Sequence, residues 1–376
     1  MPPVYLDYNA TTPLDPRVFE VMKEWYLGPP ANAGSRTHVY GQRAKEAVEK
    51  ARSQVASVID AKPEEIIFTS GATESNNIAI IGLAEHGERT GRKHIISTAI
   101  EHKAVLEPLE HLASRGFEVE LAPVNSGGYV EPDEIRKRLR NDTLLVSVMH
   151  ANNETGILQP VVEIGDLVAE LDAYFHVDAA QSFGKEIDEL REVEADLISI
   201  SSHKIFGPQG AGALLVTRAS GCTIPLKPLH FGGGQERGLR PGTIPTPLIV
   251  GLGEAASLAV MEQACRKQQS LISRREVLQA FARLDHKVNG DPERCQPHVV
   301  NLRLKGIDSE AVMMALREVV SVSNGSACTS SSYQPSHVLV AMGLSEVAAN
   351  ESIRLSWSGE LTVPIEQIHR VLEKLS

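Results

Sequence analysis

Two residues open a chemical reading of this chain. Lys204 ends the run Asp-Leu-Ile-Ser-Ile-Ser-Ser-His-Lys, which begins at Asp196 and breaks into Gly207-Pro208. A lysine placed where an apolar strand emerges into such a turn is partly desolvated, so its amine can lose a proton and attack a carbonyl carbon. Asp178 lies 204 − 178 = 26 residues upstream, within the short apolar run Tyr174-Phe175-His176-Val177-Asp178-Ala179-Ala180-Gln181. An amine for an aldehyde and a carboxylate for a pyridinium nitrogen are the two groups that pyridoxal phosphate needs from a protein.

Other candidates gather around this pair. Phe68-Thr69-Ser70-Gly71-Ala72-Thr73-Glu74-Ser75-Asn76-Asn77 reads as strand, glycine turn and helix start. Small residues and free amides there suit a phosphate; taken alone, an ordinary Ser/Thr-capped turn is the better reading, and the neighbouring Lys204 makes it a phosphate cradle. The Gly-Lys-Ser/Thr ending of a Walker loop is missing. Ser201 and His203 supply further donors beside Lys204, and His102 follows the strand His94 to Thr98, where an imidazole can stack on a planar ring or carry protons. Asn152, Asn153 and Glu154 follow a strand ending at Met149, and an Asn there, or Gln181, can bond a ring hydroxyl. Arg354 alternates through Ser352-Ile353-Arg354-Leu355-Ser356, a placement that suits either a substrate carboxylate or a surface ion pair. Cys328 sits among small polar residues, Asn324-Gly325-Ser326-Ala327-Cys328-Thr329-Ser330-Ser331-Ser332, a setting for a nucleophile on a mobile loop. Cys222, Cys265 and Cys295 receive no role, and the scatter of the four cysteines argues against a zinc site or a disulfide framework.

The elements that position these groups follow from the hydrophobic pattern. From about Pro16 to Val216, amphipathic stretches such as Gln42 to Ile59 and Val162 to Leu171 alternate with short apolar strands at Glu65-Thr69, His94-Ser97 and Leu144-Val148. This alternation predicts an α/β fold with a mostly parallel sheet and ligand sites at the carboxyl ends of its strands. Phe231 to Pro247 is too rich in Gly and Pro for a regular element, and a helix from about Leu248 to Leu284 leads to a smaller domain with strands near His298-Leu304 and Ser352-Leu355. Gly251-Leu252-Gly253-Glu254-Ala255-Ala256 matches a dinucleotide fingerprint, but it lacks the acidic residue on a following strand and reads as helix. At 376 residues the chain fits two domains, or one large domain with a subsidiary one, and 42% hydrophobic with 23% charged residues is the composition of a soluble globular protein. A net charge of −11 argues against direct nucleic-acid or anionic-membrane binding. Neither a leader nor a run approaching ~20 apolar residues stands out, so a cytoplasmic protein is expected.

The assembled motifs resemble the cysteine desulfurases, a branch of the class V aminotransferase-like pyridoxal phosphate enzymes. The likeness runs almost end to end, through Tyr5-Leu6-Asp7-Tyr8-Asn9-Ala10-Thr11-Thr12-Pro13, Thr69 to Glu74, Phe175 to Ser182, Ser202 to Pro208, Gly232 to Pro245 and Gly325 to Ser330. The resemblance implies a fold-type I, aspartate-aminotransferase-like enzyme with a large cofactor domain over 13–255 and a small α+β domain from 1–12 and 256–376 carrying the Cys328 loop. It implies that Lys204 holds the cofactor as a Schiff base, Asp178 pairs with the ring nitrogen, His102 stacks on the ring, and Asn153 and Gln181 contact its hydroxyl side. Arg354, with Asn153, would hold the cysteine substrate; Ala72, Thr73, Ser201 and His203 would bind the phosphate, joined by Thr243 from a second subunit of a homodimer.

The implied reaction converts L-cysteine to L-alanine, with Lys204 and His102 moving protons and Cys328 taking the sulfur as a persulfide. An acceptor protein in iron-sulfur cluster assembly, tRNA thiolation or DNA phosphorothioation would receive it, and the Cys328 segment looks like the long, mobile-loop subgroup. Two departures stand out: Asn32-Ala33-Gly34-Ser35-Arg36-Thr37-His38, where the family more often has Asn-Pro and one residue fewer, and Ser356-Trp357-Ser358-Gly359 in place of a Ser-Leu-Gly ending. Their expected effect is on the substrate pocket rim or acceptor docking, with the core chemistry intact. A selenocysteine lyase or other class V lyase without a persulfide, and a catalytically silent scaffold, are the alternative readings.

Overall fold

The computed structural model describes residues 2–217, 224–325 and 334–375. The first strand, β1 (Val4–Tyr5), stands apart from the next seven: β2 (Ile66–Thr69), β3 (His94–Thr98), β4 (Glu118–Ala122), β5 (Thr143–Met149), β6 (Tyr174–Asp178), β7 (Leu197–Ser201) and β8 (Gly212–Val216). These seven form one sheet in the order β2-β8-β7-β6-β5-β3-β4. Every pairing is parallel except the two made by β8. The short connection from β7 to β8 is too brief for a parallel crossover, so β8 runs back. The carboxyl ends of the other strands therefore share one edge.

Helices cover both faces of this sheet, which is why its strands read as apolar runs rather than alternations. β5, Thr-Leu-Leu-Val-Ser-Val-Met, is buried along its whole length. Neighbouring residues still part to opposite faces: Ile96, Ile198 and Leu215 enter one core, and Ile95, Leu197 and Leu214 the other. The first core is closed by the helices Val39–Val58 and Thr246–Gln279. A Cβ on Gly253 would stand 2.7 Å from the Cα of Ala51, so glycine lets these two helices meet backbone to backbone. The Gly251–Ala256 run thus lies inside a helix.

A second sheet, antiparallel in the order β12-β10-β9, is built from β9 (His286–Val288), β10 (Val299–Leu304) and β12 (Ser352–Ser356), and β1 pairs in parallel with β11 (Val320–Ser321). Leu6, Val277, Phe281, Leu302, Leu355 and Trp357 belong to the core beneath them.

Two expectations change. The helix expected from Gln42 starts at Val39, because the His38 ring accepts the Gly41 N–H at 3.1 Å and serves as its cap, a role sequence rules assign to Ser, Thr, Asp or Asn. Among the described residues one helix, Thr246–Gln279, is long and apolar enough by length and composition to cross a membrane, although no segment looked so in the sequence. Its Ile249, Leu252, Ala255, Ala256 and Leu258 are buried in the first core. Trp357, in the departing 356–359 segment, is 0% exposed, donates its indole N–H to the Ser270 carbonyl at 3.3 Å and lines a further cavity together with Lys204.

Candidate active site

The shared strand edge and the N-terminal segment enclose a cavity of about 420 Å³. One side is a cradle of small residues. Gly71 lies between β2 and the helix Ala72–Ile81 with φ of +152°, which favours glycine, and Gly212 packs against it, where a Cβ would meet the Gly71 Cα at 2.5 Å. Ala72 and Thr73 open the helix, so their N–H groups lack intrahelical acceptors and suit an anion. The turn is braced from outside, since Glu74 accepts the Ser70 N–H at 2.6 Å and an Arg240 N–H at 3.0 Å. Ser201, the last residue of β7, and His203 line the same cavity. The pKa of His203 is pulled down to about 4, chiefly by burial and further by Lys204 and Lys185, so the ring is neutral; its Nδ1 lies 3.1 Å from the Thr11 hydroxyl.

Lys204 ends the single turn Ser202–Lys204 directly after β7, and its Nζ donates to the carbonyls of Asn9 at 2.5 Å and Ala10 at 2.8 Å. Asp178 is the final residue of β6 and only 5% exposed. Its Oδ1 accepts the Ala180 N–H at 2.9 Å and its Oδ2 the Asn76 side-chain N–H at 2.7 Å. His102 caps the helix Lys103–Ser114 by accepting the Ala104 N–H on Nδ1 at 3.0 Å. Burial lowers its pKa and Lys204 adds to that, while Asp178 opposes it. A neutral ring whose Nδ1 accepts must carry its proton on Nε2. Gln181 donates Nε2 to the Asn9 carbonyl at 2.9 Å, while its buried Oε1 has no hydrogen-bond partner among the described residues.

Arg354 projects from β12 and is 1% exposed. One Nη donates to the Asn153 carbonyl at 2.9 Å and the other to Asp7 Oδ1 at 2.5 Å; its buried Nε has no partner among the described residues. Asn153 also lines the cavity, and its carbonyl accepts the Asn9 side-chain N–H at 3.1 Å. The neighbouring Asn152 turns inward, where its Oδ1 takes the Glu154 and Thr155 N–H groups and shapes the loop.

The structure therefore brings Ala72, Thr73, His102, Asn153, Asp178, Gln181, Ser201, His203, Lys204 and Arg354 around one cavity. It does not bring Thr243 there: that residue is exposed on the Gly/Pro-rich loop of the same chain. Cys328 lies outside the described residues. A second cavity of about 510 Å³, lined by Glu154, Gly325, Gln334 and His337, shares His102 and Asn153 with the first. Beyond residue 333 the chain is tied down where Ser336 donates to Glu154 at 2.5 Å and His337 Nε2 to the Glu101 carbonyl at 2.9 Å.

Sequence reasoning missed Asn9, whose carbonyl receives both Lys204 and Gln181, and Asp7, which holds Arg354. Both stand in Tyr5 to Pro13, a segment noticed only for its resemblance. It also missed Glu236, which takes both Arg52 Nη groups at 2.7 and 2.8 Å together with the Phe68 N–H at 2.7 Å, so that the Gly/Pro-rich loop is fastened to β2.

A lysine and a carboxylate on adjacent parallel strand ends, beside an anion cradle on a seven-stranded sheet, define a fold-type I pyridoxal phosphate enzyme. The aminotransferase class-V family model matches residues 4–366, and the chain belongs to that family, in its cysteine desulfurase branch. The human cysteine desulfurase is 46% identical over 374 residues, 99% of this chain and 80% of the relative. DndA from Streptomyces lividans superposes with a TM-score of 0.83 at 49% identity, covering 93% of this chain and 98% of the other. SspA in complex with cysteine gives a TM-score of 0.83 at 37% identity, with 96% and 100% covered.

Proposed function

We propose that the protein converts L-cysteine to L-alanine and passes the sulfur, as a Cys328 persulfide, to an acceptor protein. The observation that carries this reading is the single cavity in which Lys204, Asp178, His102 and Arg354 converge. Its donor set fits pyridoxal phosphate: the N-terminus of the helix Ala72–Ile81, a buried carboxylate, an amine and an orphaned Gln181 Oε1 line the same cavity.

Lys204 would hold the aldehyde carbon, Asp178 the ring nitrogen, His102 the ring face, Asn153 and Gln181 the hydroxyl side, and Ala72, Thr73, Ser201 and His203 the phosphate. When bound, the cofactor supplies an electron sink that weakens the carbon-sulfur bond of the substrate. The residues of the chain do the rest. Arg354 holds the substrate carboxylate, its two Nη groups fixed by Asp7 and Asn153 so that the unpaired Nε is ready to donate. Lys204 and the Nε2–H side of His102 move protons at the substrate carbons. The Cys328 thiolate bonds to the substrate sulfur as the carbon-sulfur bond breaks; that electron pair stays with carbon, which is protonated to give alanine.

The division into 13–255 and 1–12 with 256–376 falls within the helix Thr246–Gln279, whose first half packs in one core and whose Val277 packs in another. A homodimer, with Thr243 of each subunit serving the other's phosphate, is supported by the exposure of Thr243 outside its own cavity and by Phe231, 90% exposed on the same loop. A cytoplasmic setting, and an acceptor from iron-sulfur assembly, tRNA thiolation or DNA phosphorothioation, complete the reading.

The test is the absorption spectrum of the purified protein, followed by alanine and sulfide release from L-cysteine for wild type and Cys328→Ala. A yellow protein whose turnover is lost in the variant supports the proposal. Turnover that survives the substitution means a lyase without a persulfide, and a colourless, inactive protein means a scaffold.

A further inference from the structure

The helix Ala72–Ile81 serves the cavity twice. Its first residues, Ala72 and Thr73, form the anion cradle; one turn later Asn76 reaches the only carboxylate that the cofactor reading places at the ring nitrogen. Asn76 is 0% exposed and lines the cavity. Because an ionised carboxylate only accepts, the amide must turn its Nδ2 to Asp178, at 2.7 Å. Its Oδ1 is then left buried with no hydrogen-bond partner among the described residues. An orphaned buried amide oxygen is unfavourable, and the fold keeps it while the Nδ2 of the same amide serves Asp178.

We propose that Asn76 is a positioning residue for the reaction, acting through Asp178 on the ring nitrogen of the bound cofactor. The inference rests on the cofactor reading given above. Asp178 has two fixed donors, the Ala180 N–H on Oδ1 and Asn76 on Oδ2. Two points of attachment set the rotation of the carboxylate about its Cβ–Cγ bond, where one would leave it free to turn. A neutral amide does this without adding a positive charge that would compete with a protonated ring nitrogen, as Arg or Lys would. The same helix therefore sets the distance between the phosphate seat and the ring-nitrogen seat, with backbone at one end and the Asn76 side chain at the other.

The experiment is a cycle on the intact chain: Asn76→Leu, Asp178→Asn and the double variant. Each is stripped of cofactor, titrated with pyridoxal phosphate by visible absorption, and followed across pH for the midpoint of the bound-cofactor band. Asn76→Leu should weaken cofactor binding about tenfold and move the spectral midpoint, yet change affinity less than twofold when Asp178 is already Asn. Equal losses in both backgrounds, or an unchanged midpoint, would mean that Asn76 only packs, and would overturn the inference. Asn76→Ser, which leaves room for a water, keeps the cycle readable if the leucine does not fold. A wild type that takes up no pyridoxal phosphate defeats the cofactor reading together with this inference; a wild type that loads normally beside an indifferent Asn76→Leu defeats the inference alone.

Discussion

Glu101 sits directly before His102 and is fully buried. Burial pushes its pKa up to about 8, with Asp178 adding to the rise, against the Thr98 hydroxyl and the Met149 N–H that favour the ionised form. Both of those donors bind Oε1, and Oε2 has no partner among the described residues, so the proton resides on Oε2. The folded protein thus binds a proton here that the unfolded chain releases at the ordinary glutamate value, and stability declines as pH rises from about 4.5 through about 8. Glu101→Gln keeps the Oε1 acceptor and removes the titration. The variant should melt like wild type near pH 5 and at a higher temperature near pH 9; equal melting temperatures at pH 9 would contradict the assignment. His203 works in the opposite sense: its value near 4 lies below that of a free imidazole, so acidification from about 6.5 toward 4 protonates the unfolded chain first and favours unfolding. His203→Gln should therefore flatten the fall of melting temperature across that interval in the cofactor-free protein. Lys204 and Asp178 were readable because each closes an apolar strand, a placement visible in sequence. The partners that hold them, Asn9 accepting from Lys204 and Asn76 donating to Asp178, were not, because both are small polar residues in segments whose pattern says only turn or helix.

At the scale of elements, the Gly/Pro-rich loop is secured by Glu236, which holds a positive φ of 46° and is buried against Arg52 and the Phe68 N–H. Removing one member of such a pair strands the other charge in the interior. Glu236→Gln should lower unfolding stability by about 3 kcal/mol, read by denaturant titration, and loosen the loop that carries Thr243. A loss below about 1 kcal/mol would show that the loop does not depend on this clamp. The loop was legible as irregular from its Gly and Pro content. Its anchorage was not, since Arg52 and Glu236 lie 184 residues apart and only the approach of the loop to β2 pairs them.

At the scale of the whole molecule, the apolar surface of Phe19, Tyr26, Leu27, Val39, Phe231 and Met261 is exposed on one chain. Phe231 and Thr243, both exposed, stand on the same Gly/Pro-rich loop, the element that the dimer reading sets against the partner. Thr243→Ala should weaken pyridoxal phosphate binding about fivefold without changing the mass of the particle measured by light scattering, because one hydroxyl donor is lost and the interface stays. A monomeric wild type, or a variant with unchanged cofactor affinity, would remove Thr243 from the site.

The order of the apolar strands and helices was set by the sequence alone, since hydrophobic periodicity and strand-end placement are local properties; so was the placing of Asp178, Ser201, His203 and Lys204 at the cavity, because each stands at or just past a strand end. Tertiary structure decided what those residues touch. Asp7 reaching Arg354, Asn76 reaching Asp178 and Trp357 entering the core depend on contacts across 347, 102 and 87 residues of chain. No periodicity encodes such distances: they arise only when strands from both ends of the chain fold against the same helices and leave each polar atom to find its partner in the space that remains.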